Sequence, residues 1–408
     1  MLDYIHALQK FAESCIGCGL CAKTDCGNYP GGEPFLGQVV QELLEGNEDH
    51  VHFPYTCALC NRCTVDCPKG LKAIDACKPA RALILKKYPD LRNNYRHFRT
   101  DLKHNLFSMV KGLELGDISE MPLVEGERIG DSYADTTAFF PGCSLNAYAP
   151  QLSEASFEWL RNEKIASRKL NFCCGATFFD TGFFEEFAEF KARAAAYLES
   201  LGIKRLVIVC PHCGYELPQL LEDTNVELLR LPDLLVERGM GVPGVGTYSV
   251  HDACYDRLDG NFGSAVRKLM GHWEEHPLPH TGAHTICCGG GGMVSAYAPD
   301  YCEYRRNQRL AEMDSIDADV LISTCFSCVN SMQRGDASKP VRHYLELLFD
   351  IDIDWAKVYG GVDAMYRHAL ANELLAGDDP MFSEASGKPD VPAIKPAIPP
   401  RPGKPNNM

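Results

Sequence analysis

The sequence predicts an α+β protein in which a helical, cysteine-rich domain precedes a duplicated α/β domain. Cysteine runs set among helical patterns fill residues 1–130. From 136 to 350, short β-branched or aromatic runs alternate with helical stretches, which is typical of α/β folds. The alternation occurs twice with a period of roughly 110–115 residues, which predicts two halves at 136–245 and 246–350. Residues 351–408 form a C-terminal extension.

Each half contains strand-like runs that end just before a cysteine. These runs lie at 137–140, 206–209, 248–250 and 320–322. Helical stretches such as 184–201 and 299–313 separate them. Within the second stretch, Arg305, Arg306 and Arg309 predict a charged face turned to solvent.

The remaining segments predict a helix, a linker and a tail. Residues 78–87 predict a helix that begins near Pro79, because proline suits the first turn of a helix. Residues 117–136 are polar and acidic and predict a linker. From about residue 386 the chain is rich in proline, which predicts an extended, disordered tail. A strap lying on a partner subunit is the alternative for this tail.

Charge and apolar pattern limit the classes of function. The net charge of −15 argues against a nucleic-acid surface, which needs a basic patch. The sequence lacks an apolar run of about 18 residues that could span a membrane, and the N-terminus lacks the features of a signal peptide. We therefore expect a cytoplasmic protein that meets a membrane only through a partner, if at all. In a reducing compartment its 20 cysteines indicate metal ligation rather than disulfides.

One cysteine run has the spacing of a bacterial ferredoxin. Cys57, Cys60, Cys63 and Cys67 follow the pattern C-x2-C-x2-C-x3-C, and Pro68 comes next. In this pattern three cysteines curl the backbone around one [4Fe–4S] cube, and the fourth ligates the neighbouring cube. A structural zinc site is the alternative, but it usually needs two separated CxxC pairs.

An earlier run departs from this pattern by one residue. It contains Cys15, Cys18, Cys21 and Cys26, with Gly27 where proline is usual. The exchange rule predicts one cubane site from Cys15, Cys18, Cys21 and Cys67, and a second from Cys57, Cys60, Cys63 and Cys26. Cys77 is the nearby substitute for Cys26. Otherwise Cys77 and Cys302 fit no set and are predicted to be buried, inert thiols.

The α/β halves carry two further sets of five cysteines each. The first set is Cys143, Cys173, Cys174, Cys210 and Cys213, and the second is Cys254, Cys287, Cys288, Cys325 and Cys328. Between the first cysteine and the adjacent pair there are 29 residues in one set and 32 in the other, and 35 and 36 residues then precede the CxxC. Because loops at one edge of a parallel sheet can converge, each set can form one site. Five thiolates exceed the four that a cube or zinc ion needs.

These sets resemble the CCG domains of the heterodisulfide reductase family. The resemblance extends from Cys143 to Cys328, and the preceding ferredoxin-like runs are similar to the fused catalytic iron–sulfur subunit of that family. It implies a helical ferredoxin-like two-[4Fe–4S] domain followed by a duplicated α/β CCG domain. It also implies that each five-cysteine set holds a noncubane [4Fe–4S] cluster, and that the two noncubane clusters face each other and cleave a disulfide.

The implied activity is that of an iron–sulfur oxidoreductase subunit. Electrons would pass from the cubes to the noncubane pair and reduce a disulfide, or thiols would be oxidised in reverse. Because no GxGxxG follows a strand, we expect no flavin or nicotinamide in this chain. Electrons would then come from a flavin- or iron–sulfur-containing donor subunit, in a hetero-oligomer.

Two other functions compete with this interpretation. The first is an electron relay that links a flavin dehydrogenase of the glycolate, lactate or glycerol-3-phosphate type to quinone. Such subunits often lack some of the ten cysteines that this chain retains. The second is a redox-sensing or zinc-binding interaction protein, which would not need the ferredoxin-like runs.

Two histidines beside predicted ligands are candidate catalytic groups. His212 lies inside the Cys210–Cys213 loop, and His251 precedes Cys254. Either could donate a hydrogen bond to a cluster sulfide or protonate a departing thiolate. The alternative for each is a packing or surface role.

Overall fold

The computed structural model describes residues 3–24, 34–115, 122–367, 369–377 and 380–382. The predictions for Cys26 and for the proline-rich tail lie outside these residues. The described chain is a mixed α/β structure with helices at the N-terminus and two sheets after them. Among the described helices, none is both long and apolar enough to cross a membrane.

Helices make up the described N-terminal region. Leu8 and Phe11 of the first helix are buried, and the helix begins after Asp3, whose side chain accepts a hydrogen bond from the His6 amide. The α-helices of this region are α1 (Tyr4–Ser14), α2 (Leu36–Glu45), α3 (Phe53–Thr56), α4 (Arg62–Val65), α5 (Ala73–Lys87), α6 (Leu91–Asn94) and α7 (Leu106–Leu115).

The prediction that a helix begins near Pro79 was wrong. Helix α5 begins at Ala73, and Pro79 lies inside it. Proline cannot donate to the carbonyl of Asp75, so it weakens the helix locally. The first turns of α5 are nevertheless buried at Ala73, Ile74 and Cys77, and this packing offsets the missing hydrogen bond.

Two sheets follow, with strand orders β1-β3-β2-β4-β5 and β7-β6-β8-β9. Every pairing is parallel except that of β1 with β3, which is antiparallel. The strands are β1 (Val124–Glu125), β2 (Thr137–Phe140), β3 (Arg168–Leu170), β4 (Arg205–Ile208), β5 (Glu227–Arg230), β6 (Thr247–His251), β7 (Glu274–Glu275), β8 (Val320–Ser323) and β9 (Val341–His343).

Without β1, the first sheet has the same strand order as the second. The four strands predicted before cysteines are β2, β4, β6 and β8, within one residue at each end. Because paired parallel strands point the same way, the cysteines that follow them emerge at one edge of each sheet. Strand β1 comes from the stretch predicted to be a linker, where Val124 pairs with Leu170.

Helices cover the sheets and connect their strands. One apolar cluster contains Val207 of the first half together with Val250, Ile322 and Tyr344 of the second, so the two halves share a core. The α-helices of this part are α8 (Cys143–Tyr148), α9 (Pro150–Asn162), α10 (Ala176–Thr181), α11 (Phe184–Ser200), α12 (Pro211–Leu220), α13 (Leu231–Glu237), α14 (Asn261–Met270), α15 (Pro299–Asp314), α16 (Phe326–Met332), α17 (Tyr344–Phe349), α18 (Trp355–Arg367) and α19 (Ala369–Ala376).

Candidate metal centres

Four cysteines of the N-terminal region line one small cavity. They are Cys15, Cys18, Cys21 and Cys67, the set that the exchange rule groups together. Cys15 terminates α1, and Cys67 follows α4. Gly37 lies against this group: a Cβ atom there would be 2.3 Å from the Cys15 sulfur. Only glycine at this position leaves room for the sulfur.

The second N-terminal loop holds Cys57, Cys60 and Cys63, all buried. The loop is tightly curled, because Leu59 and Asn61 adopt positive φ angles of 57° and 54°. The Leu59 amide points at the Cys57 sulfur, 3.4 Å away. Amides aimed at cysteine sulfurs stabilise thiolates, so the loop is suited to ligation.

Nine of the ten cysteines of the α/β halves line a single cavity of about 90 Å³ between the halves. The two sets meet there, since Cys210 of the first half and Cys325 of the second are hydrogen-bonded through their side chains. Ser144 and Ser327 also bridge the halves with a 2.7 Å hydrogen bond. The tenth cysteine, Cys287, instead contacts the side chain of Cys60 in the N-terminal loop.

Glycines and backbone amides surround the sulfurs of both sets. In the first half, a Cβ atom at Gly142 would be 3.2 Å from the Cys213 sulfur. In the second half, the amides of Gly289 and Gly290 donate to the sulfurs of Cys287 and Cys288 at 3.3 and 3.4 Å. These glycines therefore allow the backbone to approach the thiolates closely.

The electrostatics of these thiols fit metal ligation. Burial raises the pKa of Cys254 well above its usual range, and contact with Cys143 lowers that of Cys173. So many buried thiols can all ionise only if a cationic group compensates them, and a metal deprotonates its thiol ligands outright. The cysteines that the structure describes are free thiols, which leaves their sulfurs available. The donor set therefore fits iron–sulfur clusters, for which cysteine thiolates are the usual ligands.

His251 is held in one tautomer beside the second set. Arg309 donates from Nε to His251 Nδ1 at 2.8 Å, so the ring proton lies on Nε2. Burial and, after it, the positive charge of Arg309 lower the pKa of His251 to about 3. Ligand atoms of His251, Cys288 and Cys328 lie within 4.8 Å of one another. A neutral imidazole is therefore placed next to two thiols.

His212 has a different environment in the first turn of α12. Its ring stacks on Tyr255 with centroids 3.6 Å apart. Its Nε2 lies 3.5 Å from a carboxylate oxygen of Glu216. Burial opposes protonation, but Glu216 and Asp180 raise the pKa of His212 above its usual value. Lys78 binds Glu216 at 2.5 Å, and its ammonium disfavours a metal ion among these carboxylates.

The prediction of a solvent-facing charged surface on α15 was wrong for two of its arginines. Arg305 and Arg309 are 2% and 0% exposed. Arg305 donates to the Thr56 carbonyl at 2.7 Å, and Arg309 holds His251. The sequence did contain a signal for their burial. Arg305 and Arg309 follow the buried Cys302 by three and seven residues, which places all three side chains on one face of α15.

Arg81 and Arg257 are functional candidates that the sequence analysis missed. Arg81 is fully buried and donates to the carbonyls of Pro54, Cys57 and Gly292 at 2.9, 2.7 and 2.7 Å. Arg257 donates to the Cys60 carbonyl at 3.1 Å. These arginines fix the cysteine loop against the second half, and nothing in the local sequence pattern marks them.

Comparison with known proteins identifies a domain family and several relatives of this chain. The family model of the cysteine-rich CCG domain matches residues 137–218 and 248–333. Dihydromethanophenazine:CoB–CoM heterodisulfide reductase from Methanosarcina barkeri has a subunit, designated D, that is 23% identical over 80% of this chain and 90% of its own length. The corresponding subunit from Methanosarcina mazei is 22% identical over 77% and 80% of the two chains.

A second kind of relative matches a shorter region. Lactate utilization protein A from Geobacillus thermodenitrificans is 33% identical, over 33% of this chain and 54% of that protein. The match to the reductase subunit covers most of both chains, whereas this one does not. The chain therefore contains two CCG domains and is homologous to this subunit of heterodisulfide reductase.

Proposed function

We propose that the protein is the iron–sulfur subunit of a heterodisulfide reductase-like complex and reduces a disulfide or oxidises thiols. The observation that carries the proposal is the cavity between the halves, lined by cysteines of both five-cysteine sets. A substrate disulfide in this cavity would meet both sets at once. The homology to the reductase subunit of Methanosarcina barkeri supports the same class of reaction.

Each group of cysteines would hold one cluster. Two cubane [4Fe–4S] clusters would bind to the N-terminal runs, within residues 1–130. Two noncubane clusters would bind to the CCG sets, within 136–245 and 246–350. The clusters would supply one-electron steps, and disulfide reduction consumes two electrons and two protons to give two thiols.

The contacts of the N-terminal loop support its role as the electron path. Cys60 contacts Cys287, and Arg257 holds the Cys60 carbonyl. A ligand of one proposed cubane site therefore touches a ligand of the second CCG set. The geometry suits electron transfer between the cubane clusters and the second half, whichever the direction of net flow.

The relatives named as reductase subunits support a hetero-oligomer. In this proposal a flavin- or iron–sulfur-containing subunit exchanges electrons with the cubes, because we expect no flavin or nicotinamide in this chain. His212 and His251 are the proposed groups that orient or protonate sulfur in the cavity. The neutral, tautomer-fixed ring of His251 favours hydrogen-bond donation from Nε2 rather than a role as a strong acid.

An electron relay is the second candidate, favoured by the match to lactate utilization protein A. In that function the CCG sets would pass electrons between a flavin dehydrogenase and quinone without binding a disulfide. Retention of all ten CCG cysteines favours disulfide chemistry. A hydroxy-acid dehydrogenase gene beside this one would favour the relay.

Anaerobic iron and sulfide analysis, combined with EPR with and without added thiol, tests the proposal. We expect about sixteen irons per chain and an EPR signal that changes with thiol, since four clusters of four irons are proposed. About eight irons with no thiol response would favour the relay. Zinc without iron would reject both.

A further inference from the structure

We propose that Cys77 is the fourth thiolate of the second cubane site, together with Cys57, Cys60 and Cys63. The inference rests on the proposed function, because it requires a cluster at this loop. It replaces Cys26, which the exchange rule assigned to this position.

The loop supplies three buried cysteines, Cys57, Cys60 and Cys63. Positive φ angles at Leu59 and Asn61 reverse the chain between its cysteines. A cubane cluster on cysteine needs four thiolates. The fourth cysteine of this run, Cys67, lies with the other N-terminal group. A ligand from elsewhere in the chain must therefore complete the site.

Helix α5 is held against the loop at two points along its length. The Ile74 amide donates to the Asn61 side chain at 3.2 Å. Two turns later, Arg81 donates to the Cys57 carbonyl at 2.7 Å. Residues three, four and seven positions apart share a helix face. Cys77 lies between the two attachment points and faces the same loop.

Direct contacts agree with this placement. Cys77 is 1% exposed and shares an apolar cluster with Cys57 and Cys63. The side chains of Cys57 and Cys77 are hydrogen-bonded to each other. The Cys77 thiol therefore contacts the Cys57 sulfur and lies beside Cys63.

Cys26 is the poorer candidate on sequence. Four residues separate it from Cys21, where the ferredoxin pattern has three, and Gly27 replaces the usual proline. Both departures are expected at a fourth cysteine that no longer ligates a cluster. If α5 supplies the fourth thiolate, Cys67 of the second run still ligates the first site, but no cysteine of the first run ligates the second site.

Single variants of the full chain, purified anaerobically, test the assignment. We expect Cys77→Ala to lose up to four irons per chain, or to leave a three-iron cluster with a new EPR signal in the oxidised protein. Cys77→Ser should keep the irons, because a hydroxyl can ligate, but with a shifted midpoint potential in a redox titration. Cys26→Ala and the matched buried variant Cys302→Ala should keep the wild-type iron content and spectra.

The assignment is overturned if Cys77→Ala keeps its irons and spectra, or if Cys26→Ala loses a cubane cluster. An unchanged potential and spectrum in Cys77→Ser would also overturn it, and this variant decides the matter if Cys77→Ala does not fold. The EPR signal of the Cys15, Cys18, Cys21 and Cys67 site serves as the internal control for folding. A wild-type protein without iron would instead reject the proposed function itself.

Discussion

The two CCG halves share their cysteine spacing and strand order but differ in the groups around the sulfurs. Three equivalent positions show the divergence. The first strand ends at Phe140 in the first half and at His251 in the second, and the last strand ends at Arg230 and His343, respectively. Inside the CxxC loop, the first half has His212 and the second has Ser327. The first half thus has its histidine in the CxxC loop, and the second has histidines at strand ends. Duplication kept the thiols and changed their neighbours, so the cavity between the halves is chemically unsymmetrical.

The halves also differ in how they contact the N-terminal region. The second half meets the cysteine loop itself, through Cys287, Arg257 and Arg305. The first half meets α5, where Lys78 binds Glu216. Among the described residues, the second set is the one placed directly against a proposed cubane ligand, through Cys287 and Cys60. The following variants separate what the halves share from what distinguishes them.

The largest expected effect tests what the halves share. Cys288→Ala should abolish disulfide turnover while both cubane clusters remain reducible, because it removes one thiolate of the second CCG set. Cys174→Ala, at the equivalent position of the first half, should do the same if both sets act on one substrate. Steady-state turnover and EPR of the dithionite-reduced variants measure the two properties separately.

Cys302→Ala is the matched control, since Cys302 is a buried cysteine outside both sets. It should retain turnover and cluster content. Turnover that survives in Cys288→Ala would show that the second half is not catalytic. Turnover that survives only in Cys174→Ala would assign the chemistry to the second half alone.

The next effect tests the contact that joins both halves to the cysteine loop. Arg81 donates to the Cys57 carbonyl, to Gly292 of the second half and to Asp180 of the first. Arg81→Met keeps most of the volume but leaves buried carbonyls without donors. We expect the free energy of unfolding to fall by about 4 kcal/mol or more, since each unsatisfied buried group costs about 1–3 kcal/mol.

Urea denaturation followed by circular dichroism measures this change. Arg238→Met is the control, because Arg238 is half exposed and pairs with Glu163 at the surface. Its effect should stay within about 1 kcal/mol. A similar small effect for Arg81→Met would mean that the loop is held by the cysteine sites rather than by this arginine.

The sequence was most informative where the signal is local. Fixed cysteine spacing predicted the group that includes Cys15 and Cys67, and alternating strands predicted the duplicated halves. Both depend on residues close in sequence or on a repeat that can be counted. The burial of Arg81 depends on contacts such as that with the Gly292 carbonyl, 211 residues away, and no periodicity in the sequence predicts it.

The start of helix α5 and the whole of strand β1 were missed for related reasons. The start of α5 at Ala73 depends on burial against the N-terminal helices, which outweighs the usual preference for proline in a first turn. Strand β1 has only two residues, Val124 and Glu125, and its polar surroundings resemble a linker. What makes it a strand is its ladder with β3 and the ion pairs of Glu125, which are tertiary interactions.

The smallest expected effect on stability tests strand β1. Among the described strands, the second half has no equivalent of β1. Glu125 binds Lys111 of α7 at 2.6 Å and Lys169 of β3 at 2.7 Å. Burial opposes ionisation, but the two lysines lower the pKa of Glu125 to about 2. Glu125→Gln should therefore destabilise the protein at pH 7 by about 2 kcal/mol, allowing for solvent screening of this half-buried group.

The pH dependence of this difference identifies its cause. A carboxyl whose pKa is lowered on folding stabilises the protein above its unfolded value, near 4.5. The advantage of the wild type over Glu125→Gln should therefore be constant above about pH 5 and shrink as the pH falls toward 2. Glu163→Gln, which removes the surface pair with Arg238, should change stability by less than about 1 kcal/mol at pH 7. A difference between wild type and Glu125→Gln that does not depend on pH would show that β1 is held by its backbone ladder and not by the charge of Glu125.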